Sequence, residues 1–479
     1  MKDRKLSLVT DFYELTMSNA YFEKGMQNTI AYFDVFFRKI PDKGGYAICA
    51  GLEQIIEYIE NLNFDDDDIK YLKSFNKFSD KFLSYLKDFK FTGDVWAIPE
   101  GTVIFPNEPI ITVRAPIVEA QILETMLLML FNHQSLIATK ASRIVAAAKG
   151  NPIMEFGARR AHSVDAAVFG ARAAIIGGCV GTSCTYTAQK FNTIASGTMA
   201  HSFVQSFDSE YDAFKAYAET YPEDCLLLID TYDTINSGIK NAIKVFDEVL
   251  KPRGLRPKGV RLDSGDLAYL SKQVRKILDD AGYPDCKICV SNSLDESLIQ
   301  SLFEQGAKID SFGVGENLIT SKSNPVFGGV YKLCALEKDG TITPKIKISE
   351  NVGKITNPGY KKVYRFYSKD TKKALADVIT LANEEITGDR YTIFDPENPW
   401  RKKTLINCNY KPLQEQIFKS GKIVYKIPEL TDIAKHCKEE LNTLWDEIRR
   451  LDNPHKYYVD LSQELWNLKT QMLKEFSKD

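Results

Sequence analysis

Residues 196–207 read SGTMAHSFVQSF, and six of them (197–202) bring together two hydroxyls, Thr198 and Ser202, and one imidazole, His201. Gly197 and Ala200 let a ligand approach the backbone closely, and a histidine is the side chain best suited to move a proton near neutral pH. The chain holds only five histidines, so each can be weighed singly. The plain alternative for His201 is a half-buried residue at a helix end. Other polar residues sharpen the choice. Asp230, Asp263 and Asp266, with Arg261 between them, suit a polyanion handled with a divalent cation, because magnesium uses few carboxylates and takes substrate phosphates as further ligands. The GVGEN turn (313–317) offers backbone N–H groups to a phosphate, and Gly177, Gly178 and Gly181 form another close-approach turn. Arg159 and Arg160 can fork onto phosphate or carboxylate, and Tyr13 and Phe156 can sandwich a flat ring. Together these residue types suit a phosphorylated sugar and an aromatic base.

Such residues need a frame. From about Asn151 the apolar runs PIMEF, AAIIG, CLLLID, GVRLD, KICVSN and DSFGVG recur, most of them followed by an amphipathic helical stretch. Apolar strands alternating with helices predict parallel strands covered on both faces. No strand carries a GxGxxG fingerprint, so the spacing predicts an α/β fold with an irregular, TIM-like (β/α) barrel rather than a doubly wound sheet. In a barrel, the C-terminal strand ends carry the chemistry. That rule gathers 155–160, Thr182, Ser183, 196–201, 230–233, 261–266, Ser291, Asn292 and Gly313 to Asn317 at one mouth.

Ahead of this unit lies a predicted β-rich α+β domain, residues 1–135. It opens on a helix at TDFYELTM capped by Thr10 or Asp11, and the DDDD run at 65–68 reads as a helix N-terminus. Residues 136–335 form the predicted barrel domain. Residues 336–479 form a smaller C-terminal region that partly packs back on the first domain. That region reads as strand-like, then loop-rich to Trp400, then helical from Leu430.

Composition narrows the class further. Hydrophobic residues at 44% and charged residues at 26% exclude a disordered chain, and a net charge of -2 gives no field for nucleic acid or anionic membrane. No apolar run approaches the roughly 18–20 residues of a membrane span. Nine cysteines, an odd number, argue against a disulfide framework and for a cytoplasmic setting. The CKIC pair (286–289) reads as part of a strand. LLLIDTYDTINSG is similar to the signature of Rossmann-like phosphoribosyltransferases. Thr231 stands in place of its second acid, however, and the phosphate loop is missing, which excludes that fold.

In order, TDFYELTM, EFGARRAH, GGCVGTSC, SGTMAHSF, IDTYDT, GVRLDSGDL, VSNSLDE and FGVGENLITS resemble the motifs of nicotinate phosphoribosyltransferases, which are type II phosphoribosyltransferases. The resemblance runs from about Thr10 to Leu333, with a looser match beyond. It implies synthesis of nicotinate mononucleotide and diphosphate from nicotinate and phosphoribosyl diphosphate, in the salvage route to NAD. It also implies magnesium, ATP as co-substrate through a phosphohistidine at His201, and a homodimer whose partner delivers Tyr13. By the same resemblance Thr198 and Tyr13 contact nicotinate, Phe156 stacks on its ring and Arg261 reaches its carboxylate. Arg159 lies near base and phosphate, Asp230 and Asp263 orient the histidine and the ribose or magnesium, and Asp266 is a further candidate near the metal. Ser291, Asn292, Gly313, Gly315 and Glu316 fall in substrate-binding turns, Glu316 through its backbone.

Nicotinamide phosphoribosyltransferases share the scaffold but resemble this chain less at Ser183, where they carry aspartate. Serine can donate a hydrogen bond to a carboxylate that aspartate would repel, and Thr182 and Arg261 fit the same choice. Two other readings are a metal-dependent barrel lyase or aldolase ligated by Asp230, Asp263 and His201, and a catalytically silent regulatory relative.

Overall fold

The computed structural model describes residues 5–386, 390–396 and 398–476. The chain divides into two compact units, Ile137–Pro325 and a second unit drawn from the flanking chain on both sides.

The Ile137–Pro325 unit is built on six parallel strands. Their hydrogen-bonded order is Gly181–Thr182, Ile153–Glu155, Ser311–Val314, Lys287–Ser291, Gly259–Leu262 and Leu226–Leu228. Ile153, Leu227, Val260, Leu262, Ile288, Val290 and Phe312 are almost fully buried, as strands covered on both faces require. Helices Val164–Ile176, Glu210–Thr220, Leu267–Asp280 and Glu296–Glu304 occupy the connections. All four start on side-chain caps that the sequence supplies: Ser163, Ser209, Asp266 and Asp295 each accept a backbone N–H of the first turn. Among the described residues the named strands run from Gly181–Thr182 to Leu226–Leu228, an isolated parallel bridge joins Thr182 to Ala195, and the unit is α/β. Because every strand runs the same way, all six C-terminal ends lie along one edge.

The other unit is antiparallel. Its seven-stranded sheet runs Thr341–Pro344, Val330–Lys338, Ile30–Phe36, Ile111–Pro116, Asp94–Ala97, Glu415–Lys419 and Lys422–Ile423. A four-stranded sheet joins Cys408–Pro412, Lys361–Ser368, Ala374–Leu381 and Val459–Leu461. These strands correct the loop-rich reading before Trp400. Lys361 and Arg365 lie on the inner face of their strand, ion-paired with Asp34 and with Asp377 and Glu440. Buried cations break the apolar alternation by which a strand is recognised.

The first helix, Phe12–Glu23, also differs from expectation. Asp11 occupies the cap without a side-chain bond, and the Thr10 hydroxyl donates to Glu14 at 2.5 Å instead. The acidic run behaves as expected, since Asp65 and Asp68 form a reciprocal capping box on Asp66–Ser74. No helix among the described residues is long and apolar enough to cross a membrane.

Candidate active site

Two aspartates and two serines lock the strand ends together. Asp230 follows strand Leu226–Leu228 by two residues and is buried. Its Oδ2 accepts the Asp263 backbone N–H at 2.8 Å and the Ser264 hydroxyl at 2.6 Å, while its Oδ1 is buried with no partner. Asp263, directly after Gly259–Leu262, accepts the hydroxyl of Ser291 from the next strand. Three adjacent strand ends are thereby tied through carboxylates, and one carboxylate oxygen is left without its bond.

His201 is the first residue of the helix His201–Gln205. Its Nδ1 lies 3.1 Å from the Thr231 hydroxyl, and its Nε2 is 3.7 Å from Asp263 Oδ2. The first distance is a hydrogen bond and the second is too long for one, so the ring is oriented with Nε2 uncommitted. Its side chain is 38% exposed, open to a ligand. Thr231, passed over in the sequence as a replaced acid, is the residue that holds the imidazole.

Arg261 donates from Nη1 to the Thr198 hydroxyl at 2.7 Å and to the Met199 carbonyl at 3.3 Å. Its Nε is buried without a partner. An unpaired buried donor on a cation is costly, so the site is built for an acceptor that a ligand supplies.

Phe156 and the GVGEN turn form a second cluster. The Phe156 N–H donates to Val314 at 2.7 Å, and its ring packs on Gly313 so closely that any side chain there would collide with it. Glu155, placed by the sequence at a strand end but without a role, is buried beside this turn. It accepts from the Gly157 N–H and from the Thr182 hydroxyl at 2.6 Å. Burial holds its carboxyl above the usual range. Thr182 itself is fully buried and also accepts the Cys184 N–H at 2.9 Å, so its hydroxyl braces the turn. Ser183, the next residue, is exposed.

Asn292 and Ser293, after the Lys287–Ser291 strand, have φ of 90° and 49°. Left-handed backbone at two non-glycine residues is strain of the kind stored at functional turns. Asn317 Nδ2 ties this turn to GVGEN through the Ser293 and Leu294 carbonyls, at 2.8 and 3.2 Å. The Glu316 carboxylate accepts from Lys322 at 2.7 Å and lies 3.9 Å from Arg160. The Lys322 hydrogen bond, more than any other contact, holds its pKa below the ordinary value. Its side chain is thus turned to cations, and what the turn offers an anion is backbone. Gly315 is the N-cap of the short helix Glu316–Ile319, and Arg159 is exposed on the turn Ala158–Arg160. Asp266 caps helix Leu267–Asp280 through the Tyr269 N–H at 2.9 Å, which occupies one of its oxygens. No group of three or more metal-ligating side chains occurs among the described residues. Tyr13 belongs to the antiparallel unit, on helix Phe12–Glu23, and stands outside this hydrogen-bonded set.

Parallel strands ending in a histidine, two aspartates, an arginine with an open donor and a glycine turn define an α/β protein with a strand-end site for a small anionic ligand. Comparison with known proteins gives the particular family. Residues 8–132 match the nicotinate phosphoribosyltransferase N-terminal domain, 152–379 the nicotinate phosphoribosyltransferase family, and 360–469 the C-terminal domain of the same enzymes. The chain is 46% identical to the nicotinate phosphoribosyltransferase of Bacillus subtilis over 477 residues, covering 99% of this chain and 96% of that one. The fold is similar to human nicotinic acid phosphoribosyltransferase, with a TM-score of 0.86, 28% identity and coverage of 97% and 99%. It is similar also to the nicotinate-nucleotide pyrophosphorylase of Pyrococcus furiosus, with a TM-score of 0.70, 26% identity and coverage of 91% and 94%. The chain belongs to the nicotinate phosphoribosyltransferase family.

Proposed function

We propose that this chain transfers the 5-phosphoribosyl group from phosphoribosyl diphosphate to the ring nitrogen of nicotinate, releasing diphosphate and forming nicotinate mononucleotide for NAD salvage. The observation that carries the choice of base is Arg261, whose buried Nε has no partner while Nη1 is fixed by Thr198. A carboxylate on the base satisfies that donor with a charge-assisted bond, which the carboxamide of nicotinamide does less well. Ser183, exposed beside the braced Thr182, supports the same selection because it can donate where an aspartate would repel.

The chemistry follows from charge. The C1–O bond to diphosphate breaks as the C1–N bond forms, and the ribosyl centre is oxocarbenium-like between the two. The protein's work is to position the ring nitrogen and to stabilise the departing anion. Phe156 stacks on the base, Arg261 and Thr198 orient it, and Arg159 meets the base and phosphate. Asn292, Gly313, Gly315 and the Glu316 N–H hold phosphate oxygens. Asp230 meets the ribose, and Ser291 fixes Asp263. Six parallel strands with intervening helices suit an irregular (β/α) barrel that leaves this strand edge as its mouth.

Magnesium fits the residues present. The partnerless Asp230 Oδ1 can take a hydroxyl or a metal-bound water, and so sparse a carboxylate set suits an ion held mainly by substrate phosphates. Asp230 and Asp263, with Asp266 further out, are the residues that would hold it, and when bound it would neutralise charge on the leaving diphosphate.

ATP coupling rests on His201. With Nδ1 engaged by Thr231, Nε2 is free to attack the terminal phosphorus of ATP. The N–P bond forms as the bond to the ADP oxygen breaks. Phosphorylation adds about two negative charges beside the diphosphate site, which changes affinities there and drives product release. A homodimer that brings Tyr13 to the partner's site completes the proposal, supported by the 45% exposure of Tyr13. Nine free thiols are in keeping with a reducing cytoplasm.

The test is direct. Labelled nicotinate, phosphoribosyl diphosphate, magnesium and ATP should give nicotinate mononucleotide, and nicotinamide should give far less product. Absence of that product would end the proposal. His201→Ala should lose the stimulation by ATP yet keep a slow ATP-independent turnover; equal loss of both would remove the phosphohistidine.

A further inference from the structure

The antiparallel unit holds a cavity of about 1120 Å³ that the reaction above does not use. Five cations line it, Lys43, Arg401, Lys402, Lys403 and Lys456, against two carboxylates, Asp395 and Asp460. Burial, followed by repulsion from Asp395, pushes the Asp460 carboxyl up to about 7. At neutral pH it therefore carries about half a charge, and the walls are more positive than the residue count implies.

The floor is rigid. Phe105 and Tyr457 stack with ring centres 3.9 Å apart, and the Tyr457 hydroxyl donates to Asp377 at 2.9 Å. The guanidinium of Arg365 lies beside both rings, at 5.3 and 5.9 Å, and is itself held by Asp377 and Glu440. On the wall Tyr458 is 44% exposed, with Lys403 Nζ 5.6 Å from its ring centre and the His455 ring at 6.0 Å. Exposed lysines on their own are a solvated face. Here they line a partly open cavity of ligand size, with a stacked aromatic floor and a half-exposed tyrosine beside the cations.

We infer that this cavity is a second ligand site, for a nucleotide: its phosphates on Arg401, Lys403 and Lys456, and its flat ring against Tyr458. Phosphates suit the cationic wall by charge, and a base suits Tyr458 because stacking needs a partly exposed ring with room above it. The volume is that of a small molecule, so a nucleotide fits better than a nucleic acid strand.

The test titrates a fluorescent N-methylanthraniloyl derivative of ADP into the full chain. It is repeated with a Lys403→Glu/Lys456→Glu variant and with a His201→Ala/Arg261→Ala variant that disables the strand-end site. The charge reversals should weaken one class of binding by about tenfold or more, and that class should persist in the His201→Ala/Arg261→Ala protein. Binding to the charge-reversed protein equal to that of the parent, or loss of every class with the strand-end variant, would overturn the inference. Lys403→Gln/Lys456→Gln, checked by thermal unfolding, gives the same reading with an intermediate loss if the reversed protein does not fold. Tyr458→Leu should weaken the labelled ADP while leaving the affinity for inorganic tripolyphosphate unchanged. Equal weakening of both would remove the ring from the site, and an oligoribonucleotide that outcompetes ADP would replace the nucleotide with RNA.

Discussion

Arg365 and Arg261 are both strand arginines, one in each unit, the first fully buried and the second half-buried, and their surroundings differ at every donor. Arg365 is fully buried and donates to both oxygens of Asp377, at 2.8 and 2.7 Å, to Glu440 at 2.9 Å and to the Val103 carbonyl at 2.8 Å. Glu108 completes the cluster. Burial, then Asp377, hold its carboxyl well above the ordinary range. Arg261 has a hydroxyl, a carbonyl and an orphaned Nε, and among the described residues no carboxylate pairs with it. Arg365 is neutralised within the fold, whereas Arg261, at the strand-end site, keeps a donor open. The same contrast separates Asp377, whose two oxygens are both bonded, from Asp230, whose Oδ1 is not.

The comparison can be broken first at Arg365. Arg365→Ala strands two buried carboxylates and should cost about 3–5 kcal/mol in stability, read from urea unfolding. A loss below about 1 kcal/mol would mean that the cluster is dispensable. At Arg261 the expectation reverses. Arg261→Ala should leave the unfolding midpoint close to that of the parent, while kcat/KM for nicotinate falls about a hundredfold, near 3 kcal/mol. Nicotinamide turnover should change less, and an equal loss for both bases would remove Arg261 from the carboxylate.

The smallest effect concerns Glu14, which is buried and accepts the hydroxyls of Thr10 and Thr125. Burial raises its pKa from 4.5 to about 7. The folded chain then keeps a proton that the unfolded chain releases, so stability should fall as pH rises from about 4.5 to about 7. Glu14→Gln should flatten that part of the stability profile, measured by denaturant midpoints across the window. An unchanged slope would show that Glu14 ionises normally.

Much of this was legible in the residues. Five of the apolar runs from Asn151 onward became parallel strands because a doubly covered strand has no polar face to confuse its pattern. The sixth, AAIIG (173–177), instead closes the buried helix Val164–Ile176, since a short apolar run fits a buried helix as well as a buried strand. Placing polar residues at strand ends then gathered His201, Asp230, Arg261, Asp263 and Ser291 on one edge, as the hydrogen bonds bear out. The strands at Lys361–Ser368 and Ala374–Leu381 were not legible, because their inward Lys361, Arg365 and Asp377 find counter-charges far away in sequence.

The sequence by itself therefore determined the family, the identity of the chemical groups and the strand ends that carry them, since these depend on local residue type and order. Only the tertiary structure decided which of those groups are spent. It showed Thr182 and Asp266 engaged within the protein, at least in part, Thr231 and Glu155 in supporting positions, and Arg261 and Asp230 each with an atom unpaired. The reason is physical: satisfaction of a donor or acceptor depends on partners brought near by folding, and no spacing along the chain encodes it.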